Sequence, residues 1–201
     1  MTRALLTSLL LLAGIASTAT AEVFWPLEDN RFWVLRGDGW DGIYTQTWQV
    51  GPETDLGGET YREVTVDLEF EEFPRAGATI RYLRTDASGR VYEHMGGSDV
   101  LWLDVTAGDN DVYPYLDGSI TVLHLGTPVV TGAGTFSGCL RFDIDPDESV
   151  VDEEYSFLLA PDFGPIRLAS FWVYLDLIAY GTAVPIQETS WSNVKAIYAG
   201  D

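Results

Sequence analysis

The sequence alternates apolar and polar side chains along one segment after another, and this period of two most constrains the fold. In "ETYREVTVDLEF", residues 59–70, positions 64, 66, 68 and 70 are apolar, and positions 63, 65, 67 and 69 are polar. Because successive side chains of a strand point to opposite faces of a sheet, the pattern predicts a strand with one dry and one wet face. Similar segments follow throughout, separated by turns that contain Gly, Asp or Pro.

Short connections between these segments favour antiparallel pairing, since a parallel crossover needs a dozen or more residues. The stretch "RFWVLR", the turn "GDGWDG" and the stretch "IYTQTWQV" are typical of one hairpin. We therefore predict an all-β fold: a single antiparallel, strongly curved sheet, a sandwich or a partly open barrel of about ten strands, with a short C-terminal helix. We find no internal repeat and no linker between folded units, which predicts one β domain over residues 22–183.

Residues 1–21 have the features of a secretory signal peptide. Arg3 precedes the apolar stretch "ALLTSLLLLAGIAS", and an Ala-x-Ala pattern ends at Ala21. The apolar stretch is shorter than the roughly 20 residues that a membrane-spanning helix needs. We therefore predict cleavage before Glu22 and a mature protein that is secreted or periplasmic, soluble and without a membrane span.

Residues 184–201 differ in kind from the β domain and are predicted to form a tail with a short helix. On such a helix Trp191, Val194 and Tyr198 share one face. Two interpretations stay open: a terminal helix that packs on the domain, and a detachable recognition tail in which Trp191, Lys195 and Tyr198 contact a sorting or docking partner.

The charge of the chain is strongly acidic. The sequence has 11 Lys and Arg and 31 Asp and Glu, so its formal net charge is −20 at pH 7. Nucleic acids and anionic membrane surfaces require a basic footprint on their partner, and both are excluded as partners. A single cysteine cannot close an internal disulfide, so stability must come from the core, which 46% hydrophobic residues can supply.

The single cysteine, Cys139, is the first candidate for chemistry. A catalytic thiol needs a base or an electropositive neighbour, and the chain has only two histidines, His94 and His124. If "SITVLHL" and "GTFSGCLRF" form a hairpin, Cys139 should face Thr121, about three residues from His124. Carboxylates nearby would also raise a thiol pKa. We therefore predict that Cys139 is a buried packing residue and that no residue is catalytic.

An acidic run after Cys139 is the second candidate. Four carboxylates have the spacing of an EF-hand calcium loop: Asp143, Asp145, Asp147 and Glu154. The sixth position of that loop requires Gly but here is Glu148, Pro146 occupies the fourth position, and predicted strands flank the segment. A solvated acidic loop is the favoured interpretation. A calcium site of another geometry stays open, and calcium is the one cofactor that the sequence suggests.

Tryptophan is the third candidate, with seven residues in the chain. Exposed aromatic side chains beside carboxylates can hold a sugar, and we select Trp40, Trp48 and Trp102 as candidate ligand-binding residues. Trp40 lies in the first hairpin turn and is predicted to be exposed. The alternative is that most tryptophans fill the core, because large aromatic side chains dominate burial.

Several landmarks occur in an order that spans nearly the whole mature domain: "FWPLEDNRFWVLRG", "RTDASGRVYEH", "GTFSGCLRFDI" and "YSFLLAPDFGPIRL". This order resembles a diffuse group of bacterial exported proteins and lipoproteins of uncharacterised function. The resemblance implies a β-rich exported domain and no particular activity. The end of the chain, "ETSWSNVKAIY", also resembles a short element that ends some bacterial secreted proteins.

These observations predict an exported bacterial β domain that acts as a non-enzymatic binding or envelope-associated module. Its candidate partner is a glycan or another envelope component. The alternative is a carbohydrate-binding module or a glycan-active enzyme that uses exposed Trp with Asp and Glu. Paired carboxylates do not decide between them, because the sequence spacing of two carboxylates does not give their separation in space.

Overall fold

The computed structural model describes residues 22–71, 77–150 and 152–182, which contain fourteen β-strands and no helix. In chain order the strands are β1 (Arg31–Gly39), β2 (Gly42–Leu56), β3 (Glu59–Phe70), β4 (Gly77–Thr85), β5 (Val91–Met95), β6 (Ser98–Leu103), β7 (Val112–Tyr115), β8 (Gly118–His124), β9 (Val129–Thr131), β10 (Gly134–Phe136), β11 (Leu140–Asp145), β12 (Tyr155–Ala160), β13 (Gly164–Ser170) and β14 (Val173–Thr182). The predicted signal peptide and the predicted C-terminal helix lie outside the described residues.

Twelve of these strands form one antiparallel sheet in the order β6-β5-β4-β3-β2-β1-β14-β13-β12-β11-β8-β7. Strands β9 and β10 pair only with each other. The large sheet curves strongly until its two edge strands, β6 and β7, come into contact. The result is a nearly closed, barrel-like sheet, which confirms the predicted all-β, antiparallel and strongly curved fold.

The predicted number of about ten strands is wrong, because three short strands read as loops in the sequence. Strand β7 contains Pro114, which removes a backbone donor and suits only an edge strand. Strands β9 and β10 have three residues each and lie inside the Gly-rich stretch "GTPVVTGAG" and just after it. Neither segment is long enough to display a period of two.

The hydroxyl of Tyr113 ties the two edges of the sheet together. Tyr113 is on β7, and its hydroxyl donates a hydrogen bond to the backbone carbonyl of Trp102 on β6 at 2.9 Å. The same hydroxyl accepts a hydrogen bond from the backbone N–H of Asp104 at 3.0 Å. One side chain thus satisfies two backbone groups that the missing β6–β7 ladder would otherwise leave without partners.

Aromatic rings fill the centre of the barrel. Trp25, from the segment before β1, has its ring centroid 5.0 Å from that of Trp102, 5.6 Å from that of Trp48 and 5.5 Å from that of Phe157. The four side chains are between 0% and 3% exposed. The N-terminal segment therefore packs inside the barrel and contacts strands from both halves of the sheet.

The segment around Cys139 is not one continuous strand. Strand β10 ends at Phe136 and β11 begins at Leu140, and between them Gly138 has a φ of 67°. A positive φ is accessible to Gly at little cost, so the chain turns here and the alternation restarts. Cys139 lies just before β11 and is buried.

The predicted partner of Cys139 across the β8–β11 pair is wrong. Leu140 pairs with His124, and Asp143 rather than Cys139 pairs with Thr121. The backbone carbonyl of Cys139 accepts a hydrogen bond from the N–H of Leu125 at 2.9 Å. The error is about four residues, because the β9–β10 hairpin is inserted between the two paired strands.

Candidate functional site

A cavity of about 450 Å³ opens on the concave side of the curved sheet. Side chains from β2, β3, β4 and β6 line one side, and side chains from β12, β13 and their flanking loops line the other. The lining residues are Gln46, Trp48, Val66, Thr79, Arg81, Trp102, Asp152, Glu153, Tyr155, Phe157, Leu168, Ser170 and Trp172. Ligand pockets usually measure about 300–1,000 Å³, so the cavity is large enough for a small molecule.

The most unusual feature of the cavity is an ion pair inside the barrel. Strands β4 and β5 pair so that Leu83 lies opposite Glu93, which places Arg81 diagonally across from Glu93 on the same face. Arg81 Nε donates to Glu93 Oε1 at 2.8 Å, and Arg81 Nη2 donates to Glu93 Oε2. The side chains are 19% and 10% exposed. This fork geometry satisfies both carboxylate oxygens at once.

Arg81 also lies over Trp48 and Trp102, which form what we call the floor of the cavity. Its Cζ is 3.8 Å from the ring centroid of Trp102 and 5.5 Å from that of Trp48, within the range of cation–π attraction. Burial tends to lower the pKa of Arg81, but the hydrogen bond and the charge of Glu93 outweigh it, so the pKa is raised. The guanidinium is therefore a fixed, permanently charged donor at the floor.

Three uncharged polar side chains complete the interior. Burial raises the pKa of Tyr155, and burial also raises the pKa of its neighbour Tyr115. Both hydroxyls therefore stay protonated at neutral pH and can donate hydrogen bonds. Oε1 of Gln46 accepts a hydrogen bond from Trp48 Nε1 at 3.1 Å. The N–H groups of the same amide take no part in that bond.

The rim of the cavity combines exposed aromatic side chains with carboxylates. Trp172 is 45% exposed and its ring centroid is 5.9 Å from that of Trp40, which is 81% exposed. These two residues, in the β13–β14 and β1–β2 turns, form what we call the aromatic rim. Asp152 and Glu153 are exposed on the loop before β12 and also line the opening.

The three tryptophans selected from the sequence therefore have different positions. Trp40 is exposed as predicted and belongs to the aromatic rim. Trp48 and Trp102 are 3% and 0% exposed, as the alternative of core-filling tryptophans expects, and their role in ligand binding stays a prediction. Both point into the barrel because of strand alternation, and there they form the floor of the cavity.

The four carboxylates of the acidic run are not brought together. Asp143 accepts a hydrogen bond from Arg141 Nε at 2.6 Å, and Asp147 accepts hydrogen bonds from the backbone and side chain of Ser149. Asp145 accepts one from the backbone N–H of Asp147 at 3.2 Å. No group of three or more His, Cys, Asp or Glu side chains suited to a metal occurs in the described part of the chain. The calcium hypothesis, which also includes Glu154, stays a prediction.

The surroundings of Cys139 do not activate its thiol. The side chain is 1% exposed in the hydrophobic core, and burial raises its pKa. In the β8–β11 pairing, His124 is the histidine nearest to Cys139. Its Nε2 donates a hydrogen bond to the backbone carbonyl of Ala107 at 2.9 Å. Cys139 is a packing residue, although the pairing register used to predict this was wrong.

The sequence reasoning missed the Arg81–Glu93 pair. A partial signal was present: in "TIRYLRT" and "VYEHM" the alternation places Arg81 on the same face as Leu83, and Glu93 on the same face as Val91. A charge at an inward position of two successive strands predicts an internal ion pair. Tyr155 and Gln46 carry no comparable signal, because each is an ordinary polar position in its strand.

The recognition residues proposed for the tail, Trp191, Lys195 and Tyr198, lie outside the described residues. Within the described ranges, no helix has the length and apolar character that crossing a membrane requires.

No family model matches the sequence, and no curated protein matches it. Two crystal structures are similar. One is a protein of Bacteroides fragilis NCTC 9343, assigned as exported and described as having a YmcC-like fold, with a TM-score of 0.54 and 12% identity over 80% of this chain and 99% of that chain. The other is a protein of Parabacteroides distasonis ATCC 8503, assigned as a lipoprotein, with a TM-score of 0.53, 13% identity and the same coverage.

At 12% and 13% identity these similarities show the fold alone. The two neighbours are the kind of protein that the sequence resemblance implied, whereas the landmark motifs on which that resemblance rests stay predictions. The chain therefore shares its nearly closed antiparallel sheet with bacterial proteins assigned as exported or as lipoproteins.

Proposed function

We propose that this chain is an exported bacterial β domain that binds a ligand in the cavity of its curved sheet and catalyses no reaction. The signal-peptide pattern of residues 1–21 supports export. The structural neighbours, assigned as an exported protein and a lipoprotein, support a place outside the cytoplasm, in the envelope or beyond it.

One observation carries the binding proposal: aromatic and polar side chains from both halves of the sheet converge on a cavity of about 450 Å³. An interior that served stability alone would be filled with apolar side chains to high density. This interior instead includes the Arg81–Glu93 ion pair, and Arg81 lines the cavity. Convergent polar groups in an otherwise apolar pocket are typical of ligand sites.

The state of Glu93 favours binding over catalysis. General acid–base catalysis by a carboxyl group requires an oxygen that can exchange a proton with the substrate. Both oxygens of Glu93 accept hydrogen bonds from Arg81. The carboxylates at the opening, Asp152 and Glu153, are exposed on a loop.

Blocking the cavity tests the proposal. We expect Thr79→Trp, which places a bulky ring in the opening, to abolish the rise in Tm that a cavity ligand causes. Ile80→Trp is the matched control, because Ile80 is the next residue on β4, is 55% exposed and does not line the cavity. The probes are uncharged, acidic and cationic oligosaccharides, palmitate and tripeptides, with the Tm measured by calorimetry.

A probe that raises the Tm of the unmodified chain and of Ile80→Trp, but not of Thr79→Trp, would support the proposal. Equal stabilisation of all three proteins would place binding outside the cavity and contradict it. So would the absence of stabilisation by any class of probe.

A further inference from the structure

We infer that the cavity ligand is an uncharged oligosaccharide, with one sugar unit inside the cavity and a neighbouring unit against the aromatic rim of Trp40 and Trp172. This inference rests on the proposed binding function and specifies its ligand. It follows from the charge, the hydrogen-bond donors and the aromatic surfaces of the site.

The charges around the cavity disfavour ionic ligands. Among the described residues of the lining, Arg81 is the only one with a basic side chain, and its charge is matched by Glu93 at hydrogen-bond distance. An anionic ligand would meet Asp152 and Glu153 at the opening, and the described lining offers it no free cation inside. A cationic ligand would have to lie beside the Arg81 guanidinium. Because unpaired buried charges are costly, an uncharged ligand fits best.

Several of the polar side chains that line the cavity can donate hydrogen bonds. Two of the five N–H groups of Arg81 bind Glu93, and no other hydrogen bond of this guanidinium occurs within the described residues. Tyr155 and the amide of Gln46 add further donors. Hydroxyl, ring and acetal oxygens of a sugar can accept these bonds, whereas a fatty acyl chain would leave the donors unsatisfied.

The aromatic rim offers the second contact that a saccharide uses. The C–H groups on one face of a sugar ring form an apolar patch that packs against an indole. Trp172 both lines the cavity and contacts Trp40, so a chain of sugars leaving the cavity would pass over exposed aromatic surface. Large exposed aromatic side chains on an otherwise acidic surface are typical of a binding site.

The test is isothermal titration of the full chain with uncharged tetrasaccharides of glucose and of N-acetylglucosamine. Tetragalacturonate, a chitosan tetramer and palmitate are the charged and acyl probes. We expect an uncharged tetrasaccharide to bind at one site and Trp172→Ala to weaken that binding about tenfold, as removal of an interface tryptophan often does. Gln46→Ala should weaken it less, and the exposed, outward-facing control Ile80→Ala should not weaken it.

The outcomes separate this inference from the proposed function. Binding of tetragalacturonate, chitosan or palmitate in the cavity, without binding of the uncharged sugars, would overturn the saccharide class and leave the binding function standing. Sugar binding that Trp172→Ala does not change would overturn the role of the aromatic rim. No binding by any probe would overturn both.

Discussion

At the scale of single residues, the Arg81–Glu93 pair shows how much this interior depends on matched groups. A buried charge without its partner costs several kcal/mol, whereas replacing both partners by apolar side chains is often neutral. The presence of the pair therefore does not imply that it stabilises the fold, and a specific role in the cavity explains it better. Single and double variants can measure how much the pair contributes to stability.

We predict that Arg81→Met lowers the free energy of unfolding by about 3 kcal/mol, because it leaves Glu93 buried and unpaired. The double variant Arg81→Met, Glu93→Leu should recover most of that loss. Urea unfolding followed by tryptophan fluorescence gives both values. The matched control is Arg36→Met, whose partner Glu71 is 49% exposed, and which should cost less than about 1 kcal/mol. Equal losses for the single and double variants would contradict this account.

At the scale of elements, the closure of the sheet depends on β7, a four-residue strand held to β6 by one side chain. Tyr113→Phe keeps the ring and removes only the hydroxyl. We predict a loss of about 1–3 kcal/mol in the free energy of unfolding, since the Asp104 N–H and the Trp102 carbonyl both lose their partner.

Hydrogen exchange would locate this effect, with faster exchange expected at the Asp104 amide. Tyr82→Phe is the control, because Tyr82 is half-buried and its hydroxyl makes no hydrogen bond within the described residues. An unchanged Asp104 amide in Tyr113→Phe would show that the hydroxyl does not hold the two edges together.

The same elements explain how far the sequence predicts the fold. Long strands such as β2, β3 and β14 display enough alternation to predict their type, faces and antiparallel pairing. Strands β7, β9 and β10, with three or four residues each, do not. The restart of the alternation at Gly138 also shifted the expected partner of Cys139, because one unseen turn displaces every pairing that follows it.

The candidate site was less predictable than the fold, since it depends on which inward positions meet across the barrel. The sequence marks Trp48 and Trp102 as large aromatic side chains, but their burial follows from closure of the sheet. It gives no indication that Tyr155 of β12 lies near Trp48 of β2, because these strands are far apart along the chain and face each other only across the cavity.

At the scale of the whole molecule, the surface is dominated by carboxylates that have no basic partner. Each of the eight arginines in the described residues forms an ion pair. The chain has 31 acidic residues, so most carboxylates of the described residues have no basic partner. Repulsion among them opposes the compact state, and it also disfavours anionic partners.

We predict that NaCl raises the Tm between about 0.01 M and 1 M, because the Debye length falls from about 30 Å to about 3 Å. Screening also weakens the exposed ion pairs, but each contributes less than about 1 kcal/mol, so reduced repulsion should dominate. The triple variant Glu148→Gln, Glu153→Gln, Glu154→Gln removes three exposed carboxylates that form no ion pair in the described residues. It should have a higher Tm at low salt and a smaller response to NaCl than the unmodified chain. A Tm that falls with salt would mean that the arginine ion pairs, and not the excess of carboxylates, set the electrostatic balance of the fold.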